Sequence, residues 1–429
     1  MDTTYFTTVH DLTRGLADTM ALINPVVESH HERVAYLSYR LATELGFCER
    51  DRLVMVVAGL LHDVGALFSE IQVEDLSFED AAQELAAAGA EMMGDLYFFD
   101  EVGKVVRWCQ APYYSIPEGA CDDKIMPVAA SIVHVADRVS ILMDERVPAL
   151  NQREQILDYI KAERGHEHCP KVSDALLSLA GQEALWMDVL YRPATVMDLI
   201  VRYPVSLDQT AELTRLVSRL IDYRSAFTAM HSAGVSASAH RLAELIGMSG
   251  DQCTMMRIAG NLHDLGKIRT PKAILEKPGK LDDREFDIIK EHAYFSYRIL
   301  SKVEGFGEIA DWAALHHEKL NGSGYPFKLG ADHLSLGSRV MAVADVFSAI
   351  TEDRPYRRPM GREQTMRVMR DNVEAGALAK SIVDVLLDNF DDVNEQRDQA
   401  SRIEGRRYFE AIDATRETES HTHIRRQPC

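Results

Sequence analysis

The sequence predicts an all-α chain built as two tandem helical bundles joined by a long helix. Three observations predict it. Apolar residues recur at three- and four-residue spacing, as at Leu37, Leu41 and Leu45, while strictly alternating β-branched runs are nearly absent. One set of landmarks occurs twice in the same order. The 429 residues are enough for two proper cores.

The repeat carries the domain reading. HHERVAYLSYRLATELGF begins at His30, and HSAGVSASAHRLAELIGM begins at His231. Each opens on His, places Val four residues on, and runs through a leucine-rich pattern to a Gly. LLHDVGAL (60–67) and NLHDLGKI (261–268) follow, with 32 residues from the first His to the second in both copies. VHVADRVSIL around Asp137 and MAVADVFSAI around Asp345 complete the set. The expected boundaries are 1–205, 206–395 and a charged tail at 396–429, whose end, TRETESHTHIRRQPC, is expected to be loose. At the junction, Pro204 ends one element, and Ser206 with Gln209 forms a capping box. A helix with Leu213, Leu216, Leu220 and Ile221 on one face then leads toward His231.

The net charge of −20 disfavours DNA, RNA and anionic membrane as partners. A phosphate-bearing substrate would need a local cluster of cations. The six cysteines are scattered without a CxxC pair, which fits a reducing compartment. The first residues carry early acids and no apolar h-region, and no apolar run reaches the roughly 18 residues of a membrane span. A cytoplasmic protein is expected.

The second half concentrates possible metal ligands: His231, His263, Asp264, His292, His316, His317 and Asp345. Helical bundles build metal sites where facing helices point such groups inward. Imidazole and carboxylate without thiolate suit Fe, Mn or Zn in a reactive site rather than a structural zinc. Neighbours on a helix diverge by about 100°, so His316 and His317 are expected to serve two ions, or one ion and the substrate. Asp264 is placed to bridge a pair. Two ions about 3.5–4 Å apart are a device for phosphate ester hydrolysis, and Lys267 can set an ammonium beside the developing charge. His240, His333, His421 and His423 are read as packed or surface histidines.

HDLGKIRTPKAILEKPGKL (263–281), HHEKLNGSGYP (316–326) and ADVFSAITEDRPYR (344–357) closely resemble the HD-GYP branch of the HD phosphohydrolases, from about Ile221 to about Gly376. The resemblance implies two tandem HD-type bundles. It implies a bacterial cytoplasmic phosphodiesterase that hydrolyses cyclic dinucleotides, chiefly cyclic di-GMP, with an iron or manganese centre. It assigns the metal ligands to the seven residues above, phosphate contact to Lys267, and the pocket border to Tyr325 of the Gly324-Tyr325-Pro326 motif. Arg354 and Arg357 match basic positions that face guanine or phosphate. Relatives with a third metal carry a carboxylate where this chain has Phe227, so two ions are expected. A hydroxide held between them would attack phosphorus, with Asp264 and Lys267 as the catalytic pair. Cyclic GMP-AMP (3′,3′-linked) is the alternative substrate, because the family includes enzymes that prefer it. The alternative of another class is a catalytically weak sensor or scaffold. Diguanylate cyclase domains are implied partners through the GYP loop, and a homodimer is left open. Independently of the family, the glycines of NGSGYP permit a tight positive-φ path that fixes Tyr325.

The first copy keeps His30, His62, Asp63 and Asp137, a vestigial set able to hold one ion. Trp108, Cys109 and Gln110 stand where the second copy has HHE, and Ala66 replaces the lysine. Three readings stay open: a structural remnant, a one-metal or ligand-binding regulator, or an enzyme in its own right. Cys109 is read as a ligand, a redox sensor or a buried inert thiol. RGHEHCP (164–170) is read as a solvated loop, with weak metal binding as the alternative.

Overall fold

The computed structural model describes residues 6–8, 11, 15, 25–65, 83, 85–87, 89–90, 93, 100–116, 126–191, 204–222, 226–353 and 358–425. Of these, 25–28, 126, 220–222, 226–229 and 410–425 are described by backbone alone. Ala66, Arg354 and Arg357 lie outside the described residues, as does the side chain of Phe227. The chain is α-helical as expected, and among the described residues the strands form one two-residue pairing.

The chain divides into two bodies. One comprises 24–202 with 411–429; the other comprises 1–23 with 203–410. The first is built on α1 (Pro25–Glu44), α2 (Glu49–Leu61), α3 (Asp100–Trp108), α4 (Met126–Leu142), α5 (Ala149–Ala162), α6 (Pro170–Leu179) and α7 (Glu183–Tyr191). The second contains strands β1 (Thr7–Thr8) and β2 (Pro204–Val205), then α8 (Leu207–Asp222), α9 (Ala226–Leu245) and α10 (Gly250–Leu262). It continues through α11 (Asp283–Leu300), α12 (Gly307–Ala314), α13 (Leu336–Thr351), α14 (Arg362–Glu374), α15 (Lys380–Asp388) and the long α16 (Phe390–Arg425), which belongs to this body as far as residue 410.

The repeat is exact at the level of helices. α1 and α9 each have 20 residues, and α2 and α10 each have 13. Both first helices end at a left-handed glycine, Gly46 (φ 77°) and Gly247 (φ 81°). Past each glycine the Phe47 and Met248 N–H groups donate back to Ala42 and Ala243, closing the same C-cap. The helix pairs cross at a second glycine in each copy. A Cβ at Gly59 would sit 2.9 Å from the Ala35 Cα, and one at Gly260 would sit 2.5 Å from the Ser236 Cα. Only glycine permits this approach, and it brings the HD end of the second helix against the His-bearing first helix.

The structure refines the expected boundaries. The helix after Ser206, α8, lies in the second body and packs on α10, with Leu213 and Leu216 buried. Its capping box is present, with Ser206 N–H to Gln209 Oε1 at 2.9 Å and Gln209 N–H to Ser206 Oγ at 3.3 Å. Residues 1–23 join the second body instead of the first, because Thr7 and Thr8 pair with Val205 and Pro204 and Phe6 packs on Phe306. The stretch expected to be loose, 415–429, is helical through 425 among the described residues. Residues 390–425 are helical, and Arg397, Ser401 and Tyr408 are buried on the second body.

Candidate metal centre

His263 is the C-cap of α10, and Asp264 begins the tight 3₁₀ turn Leu265–Arg269. Gly266 is obligatory in that turn, since a Cβ there would lie 2.1 Å from the His292 carbonyl. The Ser296 hydroxyl ties the turn down: it receives the Gly266 N–H at 3.0 Å and donates to the His263 carbonyl at 3.0 Å. α9 supplies His231, α11 supplies His292, the turn after α12 supplies His316 and His317, and α13 supplies Asp345.

All seven expected ligands converge. Asp264 Oδ2 lies 3.2 Å from His263 Nε2 and 4.0 Å from His231 Nε2, while its Oδ1 lies 3.3 Å from His292 Nε2. Asp345 spans the same gap, with Oδ1 3.2 Å from His231 Nε2 and Oδ2 3.6 Å from His317 Nδ1. The donors form two compact triads, His231/His263/Asp264 and His292/His316/His317. His263, His292 and His316 each use Nδ1 on the carbonyl three residues back, at 2.8, 2.5 and 2.5 Å, which aims Nε2 inward as ligation requires. Buried His263 Nε2 and Asp264 Oδ1 have no hydrogen-bond partner among the described residues. Orphaned inward donors of this kind fit a divalent cation.

Burial sets the charge states. It pulls His292 down to about 3 and His317 to about 4, and holds His316 well below the usual range, so all three are neutral donors. Asp264 and Asp345 stay ionised despite burial because histidines, and for Asp264 also Lys267, surround them. Burial opposes protonation of His231 too, but Glu352 and Asp345 outweigh it and push the imidazole up to about 10. Lys267 Nζ is 2.5 Å from Asp264 Oδ2.

The reasoning about His316 and His317 from helical divergence fails, because α12 ends at Ala314 and both residues lie in the following turn. Their ring centroids are 4.0 Å apart, so they point into one triad. The Tyr325 ring stacks over His317 at 4.7 Å, and burial raises its hydroxyl pKa, with Asp345 and Asp264 adding to the effect. Gly322 has the expected positive φ of 75°. Gly324 is required for another reason: a Cβ there would sit 2.4 Å from the Glu318 Cα.

Sequence reasoning missed two acids. Glu318, buried, accepts the N–H groups of Phe327, Lys328 and Leu329 at 2.7, 3.0 and 3.0 Å and so anchors the loop behind Tyr325. Glu352, directly after α13, receives His231 Nδ1 at 2.9 Å.

The first body brings its four residues together as well. His30 Nε2 is 3.3 Å from His62 Nε2 and 3.2 Å from Asp137 Oδ1, and His62 Nε2 is 3.1 Å from Asp63 Oδ2. His31, also missed, brings its Nε2 to 3.4 Å from Asp63 Oδ2. Cys109 is neither ligand nor exposed thiol. It is fully buried, burial raises its pKa, and Sγ donates to the Val106 carbonyl. RGHEHCP is only partly a solvated loop, because His168 and Cys169 are buried.

Duplicated helix pairs, each closing an H…HD…D set of inward donors, define an HD-domain protein. HD-domain models match residues 27–142 and 215–377, so the chain carries two HD domains, and the Gly324-Tyr325-Pro326 stretch lies in the second. It is 28% identical over 375 residues to the 3′3′-cGAMP-specific phosphodiesterase 1 of Vibrio cholerae, covering 84% of this chain and 87% of that one. It is 38% identical over 160 residues to a cyclic di-GMP phosphodiesterase of Thermotoga maritima, covering 36% of this chain and 43% of the relative. A crystal structure of a cyclic GMP-AMP specific phosphodiesterase of V. cholerae shares the fold, with a TM-score of 0.58, 21% identity, and 90% and 98% of the two chains covered. Among the described residues no helix is long and apolar enough to cross a membrane.

Proposed function

We propose that this chain is a metal-dependent phosphodiesterase of cyclic dinucleotides, with cyclic di-GMP as the first substrate to consider. The observation that carries the proposal is the pair of triads, His231/His263/Asp264 and His292/His316/His317, with Asp345 facing both. We assign one divalent ion to each triad; the donors suit Fe, Mn or Zn, and the family resemblance favours Fe or Mn. Held by these residues, such a pair would supply activation of water at neutral pH and charge stabilisation for the phosphoryl oxygens.

The chain's own residues do the rest. Neutral His292, His316 and His317 offer lone pairs without a prior proton loss. Asp264 and Asp345 supply the negative charge that makes the site cation-seeking in a buried setting. Lys267, held at Asp264 by 2.5 Å, provides a mobile ammonium for a non-bridging phosphate oxygen. Tyr325 presents a rigid ring over His317, suited to stack on a base. Its hydroxyl stays protonated and available as a donor. Arg354 and Arg357 are proposed contacts to phosphate or guanine, on the family resemblance alone.

A second substrate, 3′,3′-cyclic GMP-AMP, is favoured by one specific observation. The V. cholerae relative that aligns across both halves of this chain carries that specificity in its name. A turnover panel of cyclic di-GMP, cyclic GMP-AMP and cyclic di-AMP, each with Mn²⁺ and Fe²⁺, separates the readings. No turnover of any of the three by metal-replete protein would sink the proposal and leave a binding or scaffold role. For the first body we propose a single ion held by His30, His62, Asp63 and Asp137. Diguanylate cyclase docking through the GYP loop remains a proposal from the resemblance.

A further inference from the structure

We infer that α16 and Glu352 together position His231, so that the C-terminal helix governs the first metal triad. The inference rests on the two-ion reading above and concerns how this chain holds one ligand of it.

His231 differs from the other inward histidines. His263, His292 and His316 lean on neutral carbonyls of their own local turns. His231 instead donates Nδ1–H to the Glu352 carboxylate at 2.9 Å, and that side chain is only 11% exposed. In the first copy the matching atom, His30 Nδ1, meets only the Ser140 hydroxyl, at 2.9 Å. A carboxylate behind a histidine fixes the ring's tautomer and orientation and makes Nε2 a stronger donor. Here Nε2 points to Asp345 at 3.2 Å.

α16 grips the backbone that carries this ring. The Ser401 hydroxyl donates to the Met230 carbonyl at 2.8 Å, next to His231. One turn on, Gly234 lets the two helices touch: a Cβ there would fall 2.7 Å from Ser401 Oγ and 3.2 Å from Arg397 Cγ. Gly405 does the same on α16, against Met230 Sδ at 3.0 Å. Arg219 and Glu404 form a two-bond pair at 3.0 and 3.1 Å, nearly buried, that fixes α16 to α8. A helix that grips the main chain at Met230, with Glu352 behind the ring at Nδ1, fixes His231 from both sides.

The test is metal titration of full-length protein by Mn²⁺ electron paramagnetic resonance, with thermal melting as a folding check. Glu352→Gln keeps the shape and loses the charge. It should weaken one of the second body's two ions by roughly 10–100-fold and leave the other unchanged. Gly234→Ala, which pushes α16 away from Met230, should weaken the same ion. Excess Mn²⁺ should restore kcat in both variants with KM unaltered. Wild-type affinity at both sites in Glu352→Gln and Gly234→Ala would overturn the inference, as would equal weakening of both ions. If the variants behave as expected but no cyclic dinucleotide is turned over, the positioning stands and the substrate reading falls.

Discussion

The two HD copies share a frame and differ in what meets the second oxygen of one aspartate. In both, the histidine at the helix end donates Nδ1–H to a glycine carbonyl three residues back at 2.8 Å, His62 to Gly59 and His263 to Gly260. In both, the later aspartate turns Oδ1 to the first histidine at 3.2 Å. In the second copy Oδ2 of Asp345 faces His317, a donor of the second triad. In the first copy Oδ2 of Asp137 takes hydrogen bonds from Arg138 at 2.8 Å and Gln110 at 3.2 Å. A guanidinium stands in the first copy on the side where the second copy gathers three imidazoles. The helix pair therefore specifies one cation position, and the segment after it decides whether the neighbouring charge is a second ion or a side chain.

The sharpest way to break this comparison is to delete the same aspartate from each copy. Asp264→Ala should cut kcat/KM for the cyclic dinucleotide by about a thousandfold, the scale of losing a preorganised charge-stabilising group. Asp63→Ala should leave that turnover within about twofold, as expected of a change that shares no partner with the second body's donors. Comparable losses in steady-state assays of both variants would mean that the first copy takes part in the chemistry.

Glu318 separates the copies next, because its counterpart by position, Gln110, bonds Asp137 and Arg138 among the described residues. Glu318→Ala strands three main-chain N–H groups, one of them on Lys328 at φ 57°, a left-handed conformation that costs energy to hold. Urea unfolding should register a loss of about 3 kcal/mol in the second body. Hydrogen exchange should quicken first at 324–329. An unchanged midpoint would show that the loop holds itself.

Much of this centre was legible before any coordinates. Seven donors could be named because their chemistry is unusual in a helical core and because the duplicated HD stretch gives their register. The capping box at Ser206 was legible because it depends only on neighbours in sequence. What escaped is long-range and polar. Glu352 is one acid among many in a chain of this charge, and only the fold brings it to His231. The α16 contacts at 397, 401, 404 and 408 do follow helical spacing, but Arg, Ser, Glu and Tyr leave no apolar stripe to find. His31 was overshadowed by His30 beside it. The pairing of Thr7–Thr8 with Pro204–Val205 spans too few residues to leave a pattern. The argument that separated His316 from His317 went wrong by extending a helix one turn too far.

The smallest expected effect is the finest test of the comparison. Arg138 competes with any cation for Asp137, since its guanidinium lies 2.8 Å from Oδ2 of a carboxylate whose side chain is 2% exposed. Burial raises the Asp137 pKa, and bonds from His30 and His62 with the charges of His62 and Arg138 pull it well below the usual carboxylate range, so it is an anion in either case. Arg138→Met keeps the length of the side chain and removes the charge. If the guanidinium substitutes for a second ion, the variant should bind its single Mn²⁺ about tenfold more tightly, because one unit of repulsion beside a doubly charged ion is relieved. The stoichiometry of the first copy should stay at one, since among the described residues no second imidazole triad accompanies His30, His62 and Asp63. A second ion in the variant would show that Arg138 alone blocks a site the sequence already encodes. Unchanged affinity would show that Arg138 stabilises the fold around Asp137 and has no part in replacing a metal.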